Sequence, residues 1–192
     1  NYRPTQKFPP DLRPPFDDAI SFIKQNRFIL TELFLLGMCS LGLEVIWARS
    51  YVFFTGAVVY SFAFILATYL GFTALGTNFY RRFCIKQGDF KISKFWDWIG
   101  PAAIIVLGVL NSEIRLSPWL RIVAGVAPIS FLLGVITPSL VDQCTQSEPG
   151  KVGIAYTFNL LGCVIGPLLT GFLLIPLFGN RIACYILAGI FL

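Results

Sequence analysis

The 192-residue chain is 56% hydrophobic and only 13% charged, with a net charge of +5 and a mean hydropathy of +0.72. A water-soluble domain has about a quarter of its residues charged, so a soluble enzyme fold is excluded and a lipid bilayer is the expected solvent. Nucleic acid is not the expected partner of the basic excess, because the lysines and arginines sit between apolar runs, where an inner membrane face attracts them.

Residues 1–16 hold Pro4, Pro9, Pro10, Pro14 and Pro15, and proline fixes φ and lacks an N–H, so an extended surface segment is expected. From Asp17, as N-cap, to Arg27 the pattern predicts a short amphipathic helix on the membrane surface, with Phe16, Ile20 and Ile23 toward lipid and Lys24 and Arg27 toward headgroups. Apolar runs then predict six transmembrane helices, over 28–47, 58–79, 95–110, 119–141, 152–178 and from 182 onward. The third is short and is anchored by Trp96 and Trp98, while prolines 128, 138, 167 and 176 lie inside the fourth and fifth. The chain therefore reads as an all-α polytopic membrane helix bundle, with a proline-rich cytoplasmic segment and interfacial helix at 1–27 and a transmembrane domain over 28–192. Because the chain stops in an apolar run, a longer product is expected.

Eleven lysines and arginines fall on the side of the N-terminus and four on the other, which places the N-terminus in the cytoplasm. The localisation expected is an integral protein of the bacterial inner membrane.

Lipid solvates leucine as well as a neighbouring helix does, so small and polar residues decide where membrane helices touch. The second span has Ala63, Ala67 and Gly71 at four-residue spacing. The fifth aligns Ala155, Asn159, Gly162, Gly166 and Thr170 on one face, and the first groups Gly37, Ser40, Leu41 and Glu44. These stripes are expected to be helix-packing faces.

Glu44 is the polar residue that bears most on function. An ionised carboxylate near mid-membrane costs about 2.5–3.5 kcal/mol on insertion scales. Two readings stand: a cation or proton site facing the bundle interior, or an interfacial carboxylate that is hydrated or paired with arginine. If a ligand site exists, Glu44, Trp47, Tyr60 and Asn159 are its expected members; Tyr69 and Tyr156 are further aromatic candidates. Histidine is absent, and Cys39, Cys84, Cys144, Cys163 and Cys184 are widely spaced, so no metal, haem or other cofactor is expected and no catalytic constellation appears.

Several segments resemble those of one membrane family. They are Leu41–Gly42–Leu43–Glu44–Val45–Ile46–Trp47–Ala48–Arg49, Tyr60–Ser61–Phe62–Ala63 through Gly71–Phe72–Thr73–Ala74–Leu75–Gly76 with Arg81 and Arg82 after it, Gly134–Val135–Ile136–Thr137–Pro138, and Tyr156–Thr157–Phe158–Asn159–Leu160–Leu161–Gly162 continuing to Gly179. Together they resemble the spermidine-synthase-like membrane proteins, in which a major-facilitator-like domain is fused to an aminopropyltransferase-like domain. The resemblance implies a fold like half of a major facilitator and a cytoplasmic enzyme domain after Leu192; none of that domain's motifs lies in this chain. Three functions follow as expectations: a non-catalytic anchor or scaffold in a membrane complex, partnered by the bilayer and by other membrane subunits or a homo-oligomer; a half-transporter for a polyamine or other organic cation; or the membrane part of an enzyme whose soluble domain lies elsewhere.

Overall fold

The structure is a computed structural model that describes residues 16–56, 58–84, 102, 117–146 and 148–190. The proline-rich front at 1–15 and nearly all of the span expected at 95–110 lie outside the described residues. Every regular element among the described residues is helical, and four helical stretches are long and apolar enough to cross a membrane.

Helix α1, Phe16–Gln25, packs on the bundle through Phe22, which is buried. Helix α2, Arg27–Thr55, has 29 residues and reaches about 44 Å at 1.5 Å per residue. It runs two turns past Trp47, where the sequence predicts its end, because no helix-breaking residue follows until Gly56. That glycine takes a left-handed conformation with φ 71° and returns its N–H to the Val52 carbonyl. The turn is closed by a hydrogen bond between the Thr55 and Ser61 hydroxyls.

Helix α3, Val58–Phe79, ends in a widened turn at Tyr80–Cys84. Helix α4, Pro118–Thr145, begins with Pro118 at its first position and with the Ser117 hydroxyl accepting the Leu120 N–H at 3.4 Å. Helix α5, Pro149–Leu169, continues through a widened turn at Thr170–Leu174 into α6, Ile175–Gly189. Within α6, Gly179 takes φ 77° and ψ 168°, which breaks the helix.

The packing is built on two seams. In the first, α2 and α5 run parallel: the Asn159 carboxamide donates to the Leu33 carbonyl at 2.9 Å, Gly162 lies against the Phe34 carbonyl, and Gly37 lies against the Asn159 carbonyl. In the second, α4 and α3 run parallel: the Thr73 hydroxyl donates to the Ser130 carbonyl at 3.3 Å, Gly76 lies against the Phe131 carbonyl, and Gly134 lies against the Thr73 carbonyl. A side chain at any of these four glycines would enter a neighbouring backbone. The seams match position for position. Phe34–Leu35–Leu36–Gly37 corresponds to Phe131–Leu132–Leu133–Gly134, and Asn159 with Gly162 corresponds to Thr73 with Gly76. Because α4 starts where α2 ends, with the Arg121 guanidinium 4.2 Å over the Phe54 ring, the second pair is inverted relative to the first. The bundle is an inverted repeat of one helix-pair design.

One of the prolines inside the helices, Pro138, is accommodated by the second seam. Pro138 has no N–H to offer the Gly134 carbonyl four residues earlier, and Thr77 on α3 donates its hydroxyl there at 3.0 Å. Beyond Gly179 the chain reverses: α5 tracks α2 upward from Asn159 beside Leu33 to Thr170 beside Gly42, whereas α6 runs back from Asn180 beside Ser50 to Leu187 beside Cys39.

The stripe expected on α3 lies on the other side of the helix. Ala63, Ala67 and Gly71 are exposed, and no atom approaches the Cβ position of Gly71 within 4 Å. The buried residues of α3 are Ser61, Ile65, Thr68 and Gly76. Spacing marks a smooth face, but which neighbour meets it depends on where polar partners such as Thr73 and Thr77 find a carbonyl.

The seams set a stability contrast. Gly162→Val and Gly76→Val should each destabilise the bundle by about 1–3 kcal/mol through overpacking, whereas Gly153→Val, at an exposed glycine of α5 with no atom within 4 Å of its Cβ position, should stay within about 0.5 kcal/mol of wild type. Thermal unfolding in detergent reads both, and equal effects at all three positions would contradict the seams.

Candidate functional site

Glu44 lies one turn before the fully buried Trp47 on α2 and is half-buried at the edge of a groove of about 540 Å³. The groove runs between α2 and the start of α3, with Pro167 of α5 as one wall. Its other walls are largely aliphatic and aromatic, including Val45, Val52, Phe53, Val58 and Phe62, and Arg49 shares it with Glu44. Phe53 and Val58 are 85% and 66% exposed, so the groove opens sideways on the outer surface of the bundle. A carboxylate held this way is reachable from the membrane phase, between the two settings expected for it.

Behind this groove lies a buried aromatic layer. Trp47 and Tyr51, one turn apart on α2, are both 0% exposed. The Trp47 ring stands 6.5 Å from Tyr69 of α3. Toward the Thr55 end, Arg121 is 3% exposed and Asn180 donates to Ser50 at 3.3 Å. The Trp47 indole N–H and the hydroxyls of Tyr51 and Thr170 have no hydrogen-bond partner among the described residues.

The four expected ligand residues are not brought to one place. Glu44 and Trp47 neighbour each other on α2 but face a groove and the core, respectively. Tyr60 is 72% exposed at the start of α3. Asn159 is engaged with Leu33, toward the Arg27 end, as part of the first seam. Tyr156 is exposed on α5 as well. Gly162, Gly166 and Thr170 are buried along α2, Gly166 against the Met38 carbonyl and Thr170 against Gly42. Sequence reasoning passed over Arg121, Tyr51 and Asn180. The available signal was an arginine inside an apolar helix, a placement that lipid tolerates only when the charge turns inward. No group of three or more histidine, cysteine, aspartate or glutamate residues able to hold a metal occurs among the described residues.

No family model matches this chain, and neither a curated protein nor a solved structure matches it.

The orphaned hydroxyl of Tyr51 gives a prediction of sign. A buried hydroxyl without a partner carries its desolvation cost of about 1–3 kcal/mol uncompensated, so Tyr51→Phe should leave stability unchanged or raise it. Thr77→Val, which strips the Gly134 carbonyl of its donor, should instead lower stability by about 0.6–1.7 kcal/mol. Unfolding midpoints in detergent compare the two, and a loss in Tyr51→Phe as large as that in Thr77→Val would contradict this arrangement.

Proposed function

We propose that the chain is a non-catalytic integral membrane domain that anchors and assembles other membrane subunits or further copies of itself. The observation that carries this reading is the smooth face of Ala63, Ala67 and Gly71 on α3. It is turned outward, whereas Gly37, Gly162 and Gly166 are packed inside the first seam and Gly76 and Gly134 inside the second. Small residues that let backbones approach closely are the main means of helix association in lipid. Six crossings with a cytoplasmic N-terminus form part of the proposal. The parallel course of α3 and α4 supports an additional crossing between them in sequence, the reversal at Gly179 supports the sixth, and the distribution of lysine and arginine supports the orientation. The relation to spermidine-synthase-like proteins, and the bacterial inner membrane as location, rest on the motifs and composition.

The inverted repeat favours a second reading, half of a transporter for an organic cation, since many secondary transporters are built from inverted repeats. Here Glu44 would hold the positive charge, and uptake of labelled polyamine into proteoliposomes tests it. Equal uptake by wild type and Glu44→Gln removes the carboxylate from the mechanism, and no uptake by either removes transport.

For the assembly reading, light scattering in mild detergent should give the wild type a mass above that of one chain, from further copies or co-purifying membrane subunits. Ala67→Leu combined with Gly71→Leu should reduce it to the single chain. An unchanged mass in the double variant, or a solitary wild-type chain, would overturn the proposal.

A further inference from the structure

Apart from Ala102, the described residues fall into a first half within 16–84, which holds α2 and α3, and a second within 117–190, which holds α4, α5 and α6. The contacts that hold the bundle run between these halves. In the first seam Gly37 lies against the backbone of Asn159 and Gly166 against that of Met38; in the second Gly76 lies against Phe131 and Gly134 against Thr73. Among the described residues, every side-chain hydrogen bond between two helices also crosses from one half to the other, the Thr55–Ser61 contact of the α2–α3 turn aside. They include the Tyr80 hydroxyl donating to the Asp142 carboxylate at 3.0 Å.

Both seams are parallel, whereas consecutive membrane helices run antiparallel, so α2 and α3 cannot form such a seam with each other. Their printed ties are the turn contact and the Trp47–Tyr69 ring contact at 6.5 Å. In lipid a helix gains little by leaving one apolar neighbour for another, so the seams decide what docks with what. The covalent connection supplies each half to the other at high effective concentration. A second copy inserted in the same direction offers the same faces in the same orientation.

We propose that the two halves are separable recognition units, and that the first half of one chain docks with the second half of another copy through the same two seams when its own second half is spoiled. Exchanging an identical element between copies is a low-cost route to pairing, because the contacts are those of the single chain. In the wild type the connection keeps each half with its own partner, so this docking is separate from assembly through the outward face of α3.

The test is disulfide trapping between two differently tagged full-length chains, co-expressed with their native cysteines replaced by alanine. One carries Thr73→Cys in an intact first half, with Gly134→Leu and Gly162→Leu spoiling its second. The other carries Ser130→Cys in an intact second half, with Gly37→Leu and Gly76→Leu spoiling its first. Oxidation in the membrane should join the two chains about tenfold more than in a pair with the same cysteines and all four glycines kept, where seams within each chain outcompete docking between chains. Alanine in place of leucine still meets the facing backbone at each glycine; it should give the same product and covers a failure of the leucine chains to insert. Adding Ala67→Leu and Gly71→Leu to both chains should leave the product in place, even if assembly through the α3 face fails. A mixed disulfide no higher than with the glycines kept, or one lost when the α3 face is filled, would overturn the proposal.

Discussion

The structure depends on backbones meeting backbones. In lipid there is no hydrophobic gain from pairing apolar helices, so α2 with α5 and α4 with α3 are held by close approach at glycine and by side-chain hydrogen bonds to carbonyls. Each seam joins one polar residue, Asn159 or Thr73, to a carbonyl on the facing helix, and each places a glycine one turn later where the chains cross. Everything else is arranged around these two contacts. Since α2 is drawn to α5 and α3 to α4, α2 and α3 meet far less closely. The lateral groove opens where α2 and the start of α3 part.

The inverted relation of the two seams explains features that look unrelated one helix at a time. Two parallel pairs of opposite direction bring the start of α4 to the end of α2, which puts Arg121 beside Phe54 and Tyr51 inside the bundle. The arginine there is almost fully buried, with its guanidinium 4.2 Å over the Phe54 ring. Pro138 loses nothing by interrupting the α4 hydrogen-bond ladder, because Thr77 of the seam supplies the missing donor. Trp47 is fully buried on α2 and Glu44, one turn before it, is half-buried, so the aromatic layer and the groove adjoin along one helix.

Much of this was legible in the residues themselves, and what was not has a physical cause. Composition fixes the solvent, and run length locates α3 and α4 closely. The stripe of Ala155, Gly162, Gly166 and Thr170 was visible as one face of α5, because its small residues and its polar residue share that face. Within this chain α4 does not meet the smoother row of α3, Ala63, Ala67 and Gly71, because that row offers no donor to a facing carbonyl; Thr73 and Thr77 do. The end of α2 was set too early because Trp47 and Arg49 resemble an interface, while a helix stops only where the backbone allows it, at Gly56. The grouping of Glu44, Trp47, Tyr60 and Asn159 followed residue chemistry alone, whereas distance along the bundle axis keeps Asn159 near one end and Tyr60 near the other. The doubled Phe–Leu–Leu–Gly was present in the chain, and it gains meaning only when each copy is seen against its own partner helix.

The central claim is that α3 and α4 are parallel neighbours joined at Thr73 and Ser130, as α2 and α5 are at Leu33 and Asn159. Intramembrane disulfide cross-linking tests it most directly, in a chain whose native cysteines are replaced by alanine. The pair Thr73→Cys with Ser130→Cys should oxidise readily, and Ala67→Cys with Ser130→Cys should not. Cross-linking of the second pair in place of the first would place the outward stripe of α3 against α4 and contradict the inverted-repeat bundle.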